Sequence, residues 1–108
     1  MPKYLIEGSY SAEGLVGLIK EGGVSRRDAV TQLVHSLGGT LEVFYYTFGK
    51  DDTIVIADLP DNVTATAISI AANASGAVKL RTSVLLTAEE IDAATQKTAY
   101  YRAPGQPV

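Results

Sequence analysis

The chain has 108 residues, of which 46% are apolar and 19% charged, and its formal net charge is -3. This size and balance are typical of one soluble globular domain with a single core. Because Arg26 and Arg27 are the only adjacent basic residues, the composition argues against binding to nucleic acids or anionic membranes. The absence of cysteine excludes disulfides, thiol nucleophiles and zinc-thiolate sites.

The first residues, "MPKYLIEGSY", interrupt any apolar segment with a charge and a glycine. No apolar run reaches the roughly 18 residues that a membrane span requires. The sequence therefore predicts neither a signal peptide nor a transmembrane helix, and we expect a cytoplasmic protein.

The chain begins with a strand and a helix. Residues 3–9 are rich in β-formers, and Ser11 then offers an N-cap to a helix over residues 12–21. The pair Gly22-Gly23 is expected to end this helix.

A second helix is predicted from Ser25, where Asp28 stands at the third position as in a capping box. Gly38-Gly39 is expected to end it. Its apolar face recurs at helical spacing through Val30, Leu33, Val34 and Leu37.

Residues 40–48 and 53–59 are rich in β-branched and aromatic side chains and are separated by four residues. That separation predicts a β-hairpin. Pro60 is expected to end its second strand.

The remainder repeats the pattern of helix and strand. A helix is predicted from a cap at Asp61, followed by a strand over residues 78–86. Thr87 and Glu90 form a capping box for a last helix, predicted to extend to about Tyr100.

The resulting order, β-α-β-β-α-β, predicts an α+β fold of the ferredoxin-like, split β-α-β type. Its antiparallel four-stranded sheet has helices on one side, and an extra C-terminal helix follows. We expect one domain over residues 1–99 and a tail over residues 100–108, which is rich in proline and glycine.

Both sides of the predicted hairpin are largely apolar, although helices can cover only one side of the sheet. An uncovered apolar surface of this size would be unusual on a soluble monomer. We therefore expect a second copy of the chain to cover it and form a homodimer or higher homo-oligomer. The residues predicted on this open side are Phe44, Tyr46, Phe48, Ile54 and Ile56.

Strand alternation places a few polar groups on the same side. An apolar surface with sparse polar groups resembles a small-molecule cleft. The alternative is structural, because Glu7 and Arg81 could form an ion pair and Glu42 could be a solvated edge residue. The predicted polar residues of this side are Glu7, Glu42, Tyr46, Asp52, Asp58 and Arg81.

The pair Asp51-Asp52 follows Gly49 in the predicted hairpin loop. Turn chemistry alone can explain it, since aspartate side chains accept hydrogen bonds from nearby backbone N–H groups. The functional alternative makes Asp52 a base or ligand anchor, with Tyr46 as its hydrogen-bond partner.

No cofactor or metal is expected. One histidine and no cysteine leave only oxygen ligands, and no spacing matches a calcium loop. His35 points away from the apolar stripe of its helix, so we interpret it as a surface residue. The glycines fit neither a P-loop nor a dinucleotide fingerprint.

Three segments together carry a resemblance to a known family. They are "GVSRRDAV" (23–30), "LGGTLEVFYYTFGKDDTIVIADLPD" (37–61) and "VKLRTSVLLTAEE" (78–90). Over about residues 4–92 the chain resembles the GYD domain family, with Gly49 and Asp52 at motif positions and Asp51 where the motif has tyrosine. The resemblance implies a ferredoxin-like fold of the dimeric α/β-barrel type. Barrels of that type include cofactor-free monooxygenases, lactone isomerases and simple ligand binders.

We therefore expect a homo-oligomer that binds or acts on a small hydrophobic or aromatic compound without a cofactor. In an enzyme, Asp52 or Asp58 would accept a proton and Arg81 would hold an anionic group. The competing hypothesis is a structural or regulatory assembly module that binds no ligand. The residues expected to contact a ligand are Glu7, Phe44, Tyr46, Phe48 and Ile56.

Overall fold

The computed structural model describes residues 1–107, so Val108, the last residue of the predicted tail, lies outside the described part. The chain forms four strands and four helices. In order they are β1 (Lys3–Tyr10), α1 (Ala12–Glu21), α2 (Gly23–Ser36), β2 (Thr40–Tyr46), β3 (Thr53–Asp58), α3 (Asn62–Ala74), β4 (Val78–Leu85) and α4 (Ala88–Thr95).

The four strands form one antiparallel sheet in the order β2-β3-β1-β4. Helices α2 and α3 cover one side of it, α2 over β2 and α3 over β4. This arrangement confirms the predicted ferredoxin-like α+β fold with an additional C-terminal helix.

Three predicted helix caps are present in the structure. Ser11 caps α1, Asp61 caps α3, and Thr87 with Glu90 forms a reciprocal capping box at α4. Each side-chain oxygen accepts one of the N–H groups that the first turn of a helix leaves unpaired.

Two helix bounds differ from the prediction. Helix α2 begins at Gly23 rather than Ser25, because Gly22, with φ 84°, turns the chain sharply and the helix resumes at once. Its N-cap therefore has no side-chain hydrogen bond. Helix α4 ends at Thr95, not near Tyr100.

The core lies between the sheet and the helices α2 and α3. It consists of Tyr4, Ile6, Val34, Val55, Ala57, Leu59, Ala65 and Ile68. The hydroxyl of Tyr4 donates a 2.6 Å hydrogen bond to Oδ1 of Asn62, which ties the central strand to the start of α3. A buried phenol is thus satisfied without opening the core to water.

The register of the hairpin corrects the predicted side of Phe44 and Tyr46. Phe44 pairs with Val55 and Tyr46 with Thr53, and both partners are buried beneath the helices. Directly paired residues point to the same side of a sheet, so the two aromatic rings lie on the covered side. Placing them on the open side was wrong.

The cause is the length of the hairpin loop. The loop contains six residues, Thr47–Asp52, instead of the four expected, so β2 ends opposite Thr53. A shift of one residue in register exchanges the two sides of a strand. An irregularity between Leu41 and Val43 also allows Leu41 to share the covered side with Phe44.

The chain is elongated. Its radius of gyration is 17.5 Å and its extents are 60 × 31 × 22 Å, whereas a compact domain of this length has a radius of about 13 Å. Helix α4 contains no buried residue. We call residues 86–107 the C-terminal arm, because they extend beyond the end of β4. Within residues 1–107, no helix combines the length and apolar content needed to cross a bilayer.

Candidate functional site

A partly enclosed cavity of about 140 Å³ lies between the sheet and the helices α2 and α3. Most of its lining is apolar side chain. The residues concerned are Ile6, Val30, Leu33, Val34, Phe44, Val55, Ile68, Ala72, Val78 and Leu80. A cavity of this size can hold one aromatic ring.

Three polar side chains reach the cavity, namely Tyr10, Arg26 and Thr53. Thr53 is buried. Gly8 leaves room beside it, because a Cβ at Gly8 would lie 2.8 Å from the Thr53 hydroxyl oxygen. The described lining contains no carboxylate or imidazole, so the cavity offers hydrogen-bond donors and one positive charge but no strong base.

The cavity adjoins a groove between α2 and α3. Both are lined by Arg26, Leu33, Ile68, Ala72 and Val78. Arg26 is half-exposed, and its guanidinium lies 3.4 Å from the carboxylate of Glu21. A positive group at the opening of an apolar cavity favours ligands with an anionic end.

Tyr46 closes the adjacent end of the covered side. Its hydroxyl donates a 3.1 Å hydrogen bond to the carbonyl of Gly23, and a Cβ on Gly23 would lie only 3.2 Å from the ring. Burial, followed by the electrostatic effect of the neighbouring Tyr10 side chain, raises the pKa of Tyr46 to about 12. At neutral pH this phenol is a hydrogen-bond donor, not a base.

Phe48 lies in the loop beyond β2, outside the open side on which it was predicted. Its ring stacks on that of Tyr46 with centroids 6.1 Å apart. It is the non-glycine residue with positive φ (48°) in residues 1–107, a conformation that side chains adopt rarely.

The open side of the sheet carries Glu7, Ile54, Ile56, Asp58 and Arg81, since Glu7 pairs with Ile54 and Arg81. The polar residues form two separate groups at opposite ends of an apolar centre. Lys3 Nζ lies 2.6 Å from Glu42 and 3.0 Å from Asp58. The two carboxylates raise the pKa of Lys3.

At the other end, Arg81 contacts both Asp51 and Glu7, the latter at 3.5 Å. Its guanidinium lowers the pKa of the Asp51 carboxyl, and Ser9 Oγ donates to the same carboxylate at 3.2 Å. The ion pair of Glu7 and Arg81, weighed above as a structural alternative, is thus present. Asp51 lies closer to Arg81 than Glu7 does.

Asp52 joins the hairpin loop to β1. Its carboxylate accepts the backbone N–H of Tyr10 at 2.8 Å, and its own N–H donates to the carbonyl of Gly8 at 2.8 Å. Tyr46, its predicted partner, bonds to Gly23 instead. The carboxylates of Asp52 and Asp58 are thus bound to other groups than Arg81, namely the Tyr10 N–H and Lys3, and any catalytic role for the three residues stays a prediction.

Sequence reasoning missed Tyr10, Arg26 and Thr53 as site residues. Signals for them exist in the sequence, since Tyr10 and Thr53 are in strand phase with buried residues of β1 and β3. Arg26 lies four residues before Val30, on the apolar stripe of α2. Neither signal reveals that a cavity is present.

The loop that carries Gly49 and Asp52, and the strands around it, match the model of the GYD domain over residues 4–95. The chain belongs to the GYD domain family. The match extends through α4, and it leaves out only the first residues and the end of the C-terminal arm. No curated protein and no solved structure shows a match to the chain. In this GYD domain Asp52 links the hairpin loop to β1 by a hydrogen bond.

Proposed function

We propose that this GYD-domain protein is a homodimer that binds a small apolar or aromatic compound without a cofactor. The proposed ligand site is the cavity beneath α2 and α3, not the open side of the sheet. The observation that carries this proposal is a partly enclosed, mainly apolar cavity of about 140 Å³ with a partly exposed arginine in its lining.

The size of the cavity limits the ligand. An engineered cavity of about 150 Å³ in another protein holds benzene, whereas drug-sized ligands need about 300 Å³ or more. A single aromatic ring or a short branched aliphatic chain is therefore the expected size. Arg26 would contact a carboxylate or phenolate on that ligand, in the way that guanidinium groups recognise anionic oxygens.

The lining favours binding over proton transfer, because a general base must lie within hydrogen-bond reach of the proton it removes. Tyr10, Thr53 and Arg26 are all donors at neutral pH. The carboxylates predicted as bases lie on the open side or in the hairpin loop, and each already has a partner within the chain.

The second copy is proposed to cover the open side. At its centre, the register makes neighbours of Leu5, Val43 and Ile56, and of Tyr45 and Ile54. Tyr45 is 69% exposed. This contiguous apolar patch, with charged residues at both ends, is suited to packing against an identical patch across a two-fold axis.

Native mass spectrometry of the freshly purified protein tests both parts together. A dimer that carries an added mass of one small molecule per subunit supports the proposal. A bare dimer would favour the assembly module, which is also consistent with the internal pairing of the charged residues on the open side. A monomer would contradict the proposed interface.

Calorimetry with benzoate and toluene as probes tests the cavity itself. Ala72 lines the cavity, so Ala72→Leu should abolish binding of both probes, and the exposed Ala74→Leu on the same helix should not. Arg26→Gln should weaken benzoate about tenfold or more and leave toluene unchanged, with Arg27→Gln as the matched control. Equal benzoate affinity in the wild type and in Ala72→Leu would rule out this site.

A further inference from the structure

The C-terminal arm contains a regular helix, but it has no surface of its own chain to pack on. Helix α4 has a complete capping box, but none of its residues is buried. Isolated helices of fewer than about 12 residues are marginal in water, so an eight-residue helix needs packing to persist. The arm displays four exposed apolar residues, Leu86, Ile91, Tyr100 and Tyr101.

A second exposed apolar surface lies on α1, through Leu15, Val16 and Ile19. Helix α1 is held at the beginning of β4. The N–H of Ser11 donates to the Ala77 carbonyl at 2.9 Å, and Gly14 lies so close that a Cβ would be 2.0 Å from that oxygen.

The two surfaces are at opposite ends of β4 in one chain. Helix α1 lies where β4 begins, and the arm starts where β4 ends, eight residues later. Eight strand residues span about 26 Å. With the chain extended to 60 Å, the arm leads away from its own α1.

We infer that the C-terminal arm of one subunit packs on α1 of the partner subunit. This inference rests on the proposed homodimer. A two-fold axis in the plane of the interface and perpendicular to the strands stacks the two sheets face to face. The strands of one sheet then run opposite to the same strands of the other. The end of one β4 then lies beside the beginning of the other, and each arm reaches the apolar surface of the opposite α1.

Charge complementarity supports the same contact. Helix α4 carries three acidic residues, Glu89, Glu90 and Asp92, and no basic residue. Lys20 follows Ile19 directly in the last turn of α1, and it forms no ion pair among the described residues. The acidic helix and this lysine would meet when Ile91 packs against Ile19 and its neighbours.

Because the chain has no cysteine, single cysteines can report this contact without background. Two full-length variants, Ile19→Cys and Ile91→Cys, are mixed in equal amounts, allowed to exchange subunits and oxidised mildly. A disulfide between the two variants can form only between subunits. We expect a cross-linked dimer as the main product on a non-reducing gel.

The matched control replaces Ile19→Cys by Ile70→Cys, an exposed position on α3, and this mixture should cross-link at least tenfold more slowly. Equal cross-linking of both mixtures would overturn the inference. So would an intrachain disulfide as the main product of the double variant Ile19→Cys, Ile91→Cys.

A second measurement separates this inference from the dimer itself. Ile91→Glu places a charge on the packing side of α4 and should raise the dissociation constant of the dimer about tenfold or more, while Lys97→Glu beyond the helix should change it less. If the wild type is a dimer, but the mixed cysteine variants do not cross-link and Ile91→Glu leaves the dissociation constant unchanged, the arm contact is overturned and the homodimer stands. A wild-type monomer would overturn both.

Discussion

The two sides of the sheet are made by alternate residues of the same strands, but they differ in what covers their side chains. On the covered side, Tyr4, Val55 and Ala57 are closed off by helices of the same chain. On the open side, Leu5, Ile54 and Ile56 are half-buried. The covered side is thus buried within one chain, whereas the proposed second copy would bury the open side.

The largest expected effect on stability comes from comparing a leucine-to-alanine substitution on each side of the sheet. Leu59→Ala on the covered side should lower the free energy of unfolding by about 2–5 kcal/mol, because Leu59 is fully buried and leaves a cavity. Leu5→Ala on the open side should cost less in the subunit and act mainly on the dimer. Urea unfolding at several protein concentrations tests this, since the loss in Leu59→Ala should not depend on concentration. Equal, concentration-independent losses would contradict the difference between the sides.

The next effect is on assembly. Ile56→Lys puts a charge into the centre of the open side and should raise the dissociation constant of the dimer about a hundredfold, which is about 2.7 kcal/mol. Light scattering over a dilution series measures this. Val63→Lys on the exposed start of α3 is the control and should leave the dimer unchanged. A tight Ile56→Lys dimer would show that the open side is not the interface.

A smaller effect contrasts two neighbouring tyrosines on opposite sides. Tyr46→Phe removes the hydrogen bond to Gly23 and should cost about 1 kcal/mol, whereas Tyr45→Phe should cost almost nothing. The pKa of Tyr46 is raised to about 12 in the folded protein. Above pH about 10 the unfolded chain therefore loses the Tyr46 proton, whereas the folded protein keeps it. Stability should therefore fall as the pH rises from 10 to 12.

Tyr46→Phe should lessen that alkaline loss, and Tyr45→Phe should not. Thermal melts between pH 9 and 12 check both variants. If the two variants lost stability alike in this range, Tyr46 would not be the group responsible.

The smallest expected effect on stability concerns the carboxylate of Asp51 in the hairpin loop. The Arg81 guanidinium lowers the pKa of Asp51 in the folded state. The stability that the ionised Asp51 adds to the folded state is therefore fully present above the ordinary pKa of 3.8, and it is lost as the pH falls through the lower pKa of the folded state. Asp51→Asn should lower the melting temperature slightly at pH 6, and the difference from the wild type should shrink below pH 4. Asp92→Asn on the exposed α4 is the control. A difference that stays constant with pH would exclude this origin.

Much of the fold could be predicted from the sequence because its signals are local. Caps at Ser11, Asp61 and Thr87 mark helix starts by hydrogen bonds within three residues. The start of α2 was not predicted, because Gly22 and Gly23 act there through backbone conformation. Secondary structure in this chain follows mostly from such short-range chemistry.

The candidate site was less predictable, because it depends on register and on volume. The side of Phe44 and Tyr46 is set by a six-residue loop whose length no single residue specifies. The cavity is the space left when α2 and α3 lie apart over the sheet, and neither Tyr10 nor Arg26 indicates that space by its identity. Charge contacts were predicted only in part, since Asp51 was treated as a turn residue and is the main partner of Arg81.

The strand order also has a consequence for how the chain assembles. Strand β1 lies between β3 and β4, which both follow it in the chain, so neither of its neighbours exists when β1 is synthesised. Its pairing with β4 joins residues as far apart as Lys3 and Leu85. Such non-local contacts slow folding, because the loop must close before they form. We expect the hairpin of β2 and β3 to form early and the amide hydrogens of β1 to gain protection from exchange late.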